Sequence, residues 1–177
     1  MSFLYISGSP RENSNTEYLL NMIKSQYGGE LINLSDYDIQ PCFSCWKCRN
    51  DEECIIDDDM SKIIIPKLIE NDAMVIGSPV YFNNVSAQLK LFIDRTWAIK
   101  GQLKNKVGGT VVVGRKYGAE SAITAINSFY LKHEMIPANR GVHGIAFKKE
   151  EIIKDKEAIN ASRRLGDRIY NLIKTIK

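Results

Sequence analysis

The sequence has only two histidines and no GxSxG elbow, so hydrolysis by a Ser-His-Asp triad has neither its usual turn nor a ready general base. No apolar run approaches the roughly 20 residues that a membrane-crossing helix needs, and neither end carries a lipidation motif. No block of like charge stands out: 24 basic and 21 acidic residues are interleaved and leave a net charge of +3, which is no nucleic-acid footprint. Neither the GxGxxG spacing of a dinucleotide loop nor the GxxxxGKS/T of a nucleoside triphosphate loop occurs. The start at Met1 to Tyr5 has no basic n-region and no apolar h-region, which points to a cytoplasmic protein with no membrane association. There is no internal repeat and no low-complexity tract. With 177 residues, 44% apolar and 25% charged, the expectation is one domain spanning 1–177 with a substantial core.

Cysteine is also missing, except in one place. All four cysteines fall within thirteen residues as Cys42, Cys45, Cys48 and Cys54, a CxxCxxCx5C array in a loop at 41–57. Three thiolates at steps of three suit three corners of an iron-sulfur cubane, and a fourth a few residues later closes the last corner. Zinc is the main alternative, although structural zinc more often takes two separated CxxC knuckles. A redox-active thiol set is the third. A disulfide framework requires an oxidising compartment, for which the sequence gives no sign.

Around this array, short apolar runs alternate with helical periods. Phe3 to Ile6 reads as a strand, and Ser14 to Glu17 as a capping box opening a helix that carries Leu19, Leu20, Ile23 and Tyr27 and stops at Gly28 and Gly29. Glu30 to Leu34 is a second strand. Asp57, Asp58 and Asp59 place negative charge at the start of an apolar segment, Met60 to Ile69, that Pro66 should kink. Ala73 to Gly77 is a third strand, and Val85, Leu89, Phe92, Ile93 and Trp97 mark one face of the next helix. Strand Val107 to Val113, helix Gly118 to Met135, strand Gly141 to Phe147 and helix Glu150 to Ile176 complete the series. Strands that are apolar on consecutive residues are covered on both faces. The fold class that follows is α/β, a doubly wound five-stranded parallel sheet in the order 2-1-3-4-5, with ligands beyond the carboxyl ends of the strands at the β1/β3 switch.

That topology brings two loops together. The loop after strand one offers Ser9, Arg11, Asn13, Ser14, Asn15 and Thr16 against free amides at a helix start, a site for one terminal phosphate or an ordinary capped helix. The loop after strand three offers Pro79, Val80, Tyr81, Phe82 and Asn83, with aromatic faces and backbone groups for a planar heterocycle, or a proline turn with buried aromatics. A phosphate wall facing a flat-ring wall describes FMN.

The patterns GSPRENSNT at 8–16, CxxCxxCx5C at 42–54 and GSPVYFNNVSAQLKLFIDR at 77–95 resemble the iron-sulfur flavoproteins, within the NADPH-dependent FMN reductase group of flavodoxin-like folds. The resemblance covers most of the chain, from Met1 to the fourth helix. It implies that the first-loop residues hold the FMN phosphate, that Pro79 to Asn83 border the isoalloxazine, and that Cys42, Cys45, Cys48 and Cys54 ligate a 4Fe-4S cluster. It implies a homodimer or homotetramer, with a ferredoxin-like donor or NAD(P)H on one side and a small-molecule or protein acceptor on the other. The alternative is an NAD(P)H-dependent FMN, quinone or nitro reductase whose cysteines are structural, zinc-binding or redox-sensing. No catalytic acid or base is expected. His133 and His143 read as structural, Phe43 and Trp46 as packing residues, Asp94 and Arg95 as members of surface or interface pairs, and the basic stretch Gly114 to Gly118 as a solvated turn.

Overall fold

A computed structural model describes residues 1–51 and 53–177, so Glu52 of the cysteine loop lies outside the described residues. Among them, six strands form one parallel sheet: β1 (Phe3–Ser7), β2 (Glu30–Asn33), β3 (Ala73–Pro79), β4 (Val107–Gly114), β5 (Ile136–Pro137) and β6 (Val142–Ile145). The order β2-β1-β3-β4 is as expected, and the fifth position is shared by two pieces. Val107 and Gly108 pair with β5, and Val111 to Gly114 pair with β6. Pro137 has no N–H to carry the ladder onward, and the chain rejoins β4 only after Gly141, which sits at φ 127°.

A short helix, α2 (Cys48–Asp51), lies within the cysteine loop. Successive residues of the central strands serve opposite faces. Leu4, Ile6, Met74, Ile76 and Val112 pack under α3 (Ile65–Glu70), α4 (Ala87–Arg95) and α5 (Ala119–Lys132). Phe3, Tyr5, Val75, Val111 and Val113 pack under α1 (Asn15–Tyr27) and α6 (Lys156–Ile176). Every residue of β1 and β4 is buried, which is why these strands read as continuous apolar runs. Gly108 lets α5 come close, because a Cβ there would stand 2.7 Å from the Tyr130 ring. Tyr130 in turn donates its hydroxyl to Gly109 O at 2.6 Å and accepts from Ile76 N at 3.3 Å.

Two segments depart from the expected helices. Met60 to Ile64 forms a π-type turn, in which Ile65 N donates to Met60 O, and α3 begins after it with Pro66 in its first turn. Ile64 and Ile65 are both helical, so the π-type turn runs straight into α3 and the irregularity expected at Pro66 appears as a widened turn just ahead of it. The final helix starts at Lys156 instead of Glu150: Asp155 caps it, accepting from Ala158 N at 3.0 Å, and a 3-10 turn at Glu151–Lys154 precedes it. No helix among the described residues is long and apolar enough to cross a membrane.

His133 caps the end of α5 and is buried. Thr96 Oγ1 donates to Ile93 O at 2.7 Å, so toward His133 Nε2, 3.0 Å away, it can only accept. The ring therefore carries its proton on Nε2, and its buried Nδ1 has no partner. Burial, then the Lys132 charge, push its pKa down to about 4 from 6.5. Between those values the unfolded chain binds the extra proton and the folded chain does not, so stability is complete above pH 6.5 and declines toward pH 4. The expected loss at pH 4 is about 3 kcal/mol. Urea unfolding at several pH values should show this slope, and His133→Leu should remove it.

Candidate functional site

The loops after β1 and β3 meet as the fold class requires. Gly8 N donates to Gly77 O at 2.8 Å, and Ser86 Oγ donates to Gly8 O, so the first loop is tied to β3 and to the start of α4. Between the loops lies a crevice of about 390 Å³, within the range of small-molecule sites. Of the eleven residues expected there from the sequence, Ser9, Arg11, Ser14, Asn15, Thr16, Pro79, Val80, Tyr81 and Phe82 line it, while Asn13 and Asn83 do not.

Their roles divide. Ser14 caps α1, its Oγ accepting from Glu17 N at 3.1 Å, which leaves the amides of Asn15 and Thr16 as the helix's free donors for an anion. Ser9 is buried at the crevice floor, and its hydroxyl accepts from Arg11 N at 3.3 Å. The Asn15 side chain is otherwise engaged: Nδ2 donates to Lys148 O at 2.8 Å and Oδ1 accepts from Ile152 N at 3.3 Å, fastening the loop before α6.

The opposite wall is a strained turn. Tyr81 and Asn84 exchange backbone hydrogen bonds of 2.8 and 3.0 Å, and the two residues between them, Phe82 and Asn83, have φ of 48° and 63°. Such turns favour Asn-Gly, and a phenylalanine in the left-handed region is costly. The turn leaves the Phe82 side chain fully exposed and Tyr81 half-exposed, not buried. Gly118, at φ 83°, is braced against it: a Cβ there would stand 2.5 Å from Asn83 Cα. Gly118→Ala should displace this wall and lower stability by about 1–2 kcal/mol, the cost of the left-handed conformation alone, which urea unfolding would check.

A third wall begins in the basic stretch Gly114 to Gly118, read from the sequence as a solvated turn. Val113, Gly114 and Arg115, with Ala146 and Phe147, also line the crevice, and Arg115 lies over the Phe147 ring at 4.9 Å. They come from the ends of β4 and β6, and the rule that ligands sit beyond the carboxyl ends of strands could have found them.

The cysteine loop builds a second cavity of about 370 Å³, lined by all four cysteines with Phe43, Trp46, Asp94 and Trp97. Ser44 and Trp46, at φ 55° and 60°, turn the backbone on either side of Cys45. Burial first, then the neighbouring Cys54, Cys45 and Cys42, push the Cys48 thiol up. Among the described residues, no three His, Cys, Asp or Glu side chains converge on a point that a single metal ion could occupy. Phe43 and Trp46 are exposed, against the expectation of packing, and Trp46 meets Trp97 edge-on at 6.0 Å.

Arg95 is the largest departure from the sequence reading. It is no surface residue: its side chain is 0% exposed and paired with the buried Asp58. Burial alone would lower its pKa, but the Asp58 hydrogen bond and the nearby Cys54 raise it, so the guanidinium stays charged. Burial would likewise raise the Asp58 carboxyl, yet Arg95 and the amides of Gln40 and Ser61 hold it below its usual value. The signal was present in the sequence, because Arg95 continues the buried stripe of Leu89 and Phe92 and an interior charge requires a partner. The aspartate triplet stands at a helix start as expected, Asp58 Oδ1 accepting from Ser61 N at 3.2 Å, and each member also has a partner of its own: Asp57 pairs with Lys62, Asp58 with Arg95, and Asp59 accepts from Asp38 N at 2.8 Å. Asp94 pairs with Lys90 on the surface.

Comparison with known proteins agrees with this geometry. Residues 1–150 match the family described as NADPH-dependent FMN reductase. An iron-sulfur flavoprotein of Methanocaldococcus jannaschii is 38% identical over 193 aligned positions, covering 100% of each chain. The solved structure of RosB with a bound riboflavin-phosphate intermediate superposes with a TM-score of 0.81 at 17% identity, covering 99% of this chain and 79% of that one. A flavodoxin from the domain Archaea superposes with a TM-score of 0.61 at 16% identity, covering 98% and 99%. These two likenesses establish a flavodoxin-like fold, and the family and the sequence relative establish a flavoprotein oxidoreductase. The chain thus belongs to the NADPH-dependent FMN reductase family and, within it, groups with the iron-sulfur flavoproteins.

Proposed function

We propose that this flavoprotein transfers electrons between FMN, held in the crevice, and a 4Fe-4S cluster on Cys42, Cys45, Cys48 and Cys54. When bound, the flavin exchanges electrons singly or in pairs and the cluster exchanges them singly. The observation that carries the reading is the sharing of one cavity by all four cysteines, at the end of α4 whose other end is tied to the FMN loops. Nine helical residues span about 13 Å, which keeps the two sites within one small region of the chain.

The residues present fit both groups. The amides at the start of α1, with the Ser9 and Ser14 hydroxyls, would bind a phosphate; Pro79 to Phe82 would border a flat ring; and Arg11 and Arg115 add positive charge at the rim. Thiolates are the usual ligands of iron-sulfur clusters. Four thiolates in one segment, at 42, 45, 48 and 54, suit a multi-iron group better than structural zinc, which more often takes two separated CxxC knuckles. The exposed Phe43, Trp46 and Phe82, placed beside both cavities, support assembly as a homodimer or homotetramer.

The second reading is an NAD(P)H-dependent reductase of flavin, quinone or nitro compounds, favoured by the description of the matched family. Rapid mixing separates the two. Reduced ferredoxin should bleach bound FMN faster than NADPH does; the opposite order would establish the reductase.

A further inference from the structure

Arg95 does more than neutralise Asp58. Its Nη1 donates to Gln40 O at 2.8 Å, and its Nη2 lies 3.0 Å from Asp58 Oδ1, 3.0 Å from Ser61 Oγ and 3.4 Å from Ile56 O. Gln40 precedes the cysteine loop, Ile56 stands at its end and Asp58 follows it. One side chain from α4 therefore pins both stems of the loop, in the only way a planar fork of donors can. The same Nη2 also points an N–H at Cys54 Sγ, 3.4 Å away. Holding the stems together does not require that last contact.

Its consequence is electrostatic. A buried cation acts on a nearby thiolate with little screening, and a donor to sulfur stabilises whichever state carries more negative charge. Adding an electron to a cluster spreads negative charge over its thiolate ligands, and hydrogen bonds to sulfur are among the levers that set its potential. Cys42 and Cys45, by contrast, are exposed.

We propose that Arg95 is a positioning residue that raises the cluster's electron affinity through its hydrogen bond to the Cys54 sulfur, while pinning the two stems of the cysteine loop. This rests on the cluster reading given above. Lysine in its place would keep a charge near Asp58, but its single nitrogen cannot serve the aspartate, both stems and the sulfur at once.

The test uses protein purified without oxygen, as wild type, Arg95→Gln and Arg95→Lys. Iron and flavin content are measured first, and then both midpoint potentials by EPR and optical titration. Arg95→Gln should bind the cluster about tenfold less favourably in its reduced than in its oxidised state, relative to wild type, a fall of about 59 mV in the cluster midpoint. The FMN midpoint should stay unchanged, and Arg95→Lys should show a smaller fall. An unshifted cluster midpoint in variants with full iron would overturn the proposal, as would an equal fall of both midpoints. Failure of both variants to fold would also overturn it, leaving Arg95 a staple and nothing more. Wild-type protein without iron would instead overturn the cluster reading itself, and that result is read before either variant is titrated.

Discussion

Cys48→Ser is expected to strip or convert the iron-sulfur cluster while leaving FMN bound at the wild-type level. Cys48 shares its cavity with the other three thiols, and burial first, then those thiols, raise its own pKa. A hydroxyl is a poor ligand for iron that prefers soft sulfur. The crevice proposed to hold FMN is built from the loops after β1 and β3 and from the ends of β4 and β6, and no cysteine lines it. Iron analysis and flavin absorbance on the same preparation give both results. Loss of flavin along with iron would contradict the independence of the two sites.

The second large effect concerns stability. Asp58→Ala leaves the Arg95 guanidinium buried without its counter-charge, and breaking a buried pair in this way costs about 3–5 kcal/mol. It also removes the acceptor for Gln40 N at 2.9 Å and for Ser61 N at 3.2 Å, both of which hold the base of the cysteine loop. Thermal unfolding should fall by roughly 10 °C. The double variant Asp58→Ala with Arg95→Met should recover a substantial part of that loss, since an apolar side chain carries no charge to strand. Equal loss in the single and double variants would show that the cost lies elsewhere, in the packing of the loop.

The sheet was legible because burial on both faces writes itself as consecutive apolar residues, as in Val111, Val112 and Val113, and because Ser14 and Gly28 bracket α1 with a cap and a stop. Given that order, the meeting of the first and third loops followed from topology. Long-range pairing was not legible. Asp58 and Arg95 are 37 positions apart, and nothing local marks the aspartate as interior when it stands between Asp57 and Asp59. Asn15 shows the converse: an amide at a helix start suits an anion, yet its side chain serves Lys148 and Ile152, more than 130 residues away. Pro66 marked a local irregularity: a proline inside an apolar helical run removes one backbone donor, and the segment widens into a π-type turn directly before it. The exposed Phe43, Trp46 and Phe82 could not be told from core aromatics by residue type, because the same side chains serve both environments.

The central claim is that one chain carries both a flavin and an iron-sulfur cluster. The direct test is the iron, acid-labile sulfide, zinc and flavin content, with the visible spectrum, of protein purified without oxygen. The account predicts the equal iron and sulfide of a 4Fe-4S cubane beside one FMN per chain, with no zinc. Flavin accompanied by zinc, or by neither metal, would contradict it and leave a cluster-free NAD(P)H-dependent reductase.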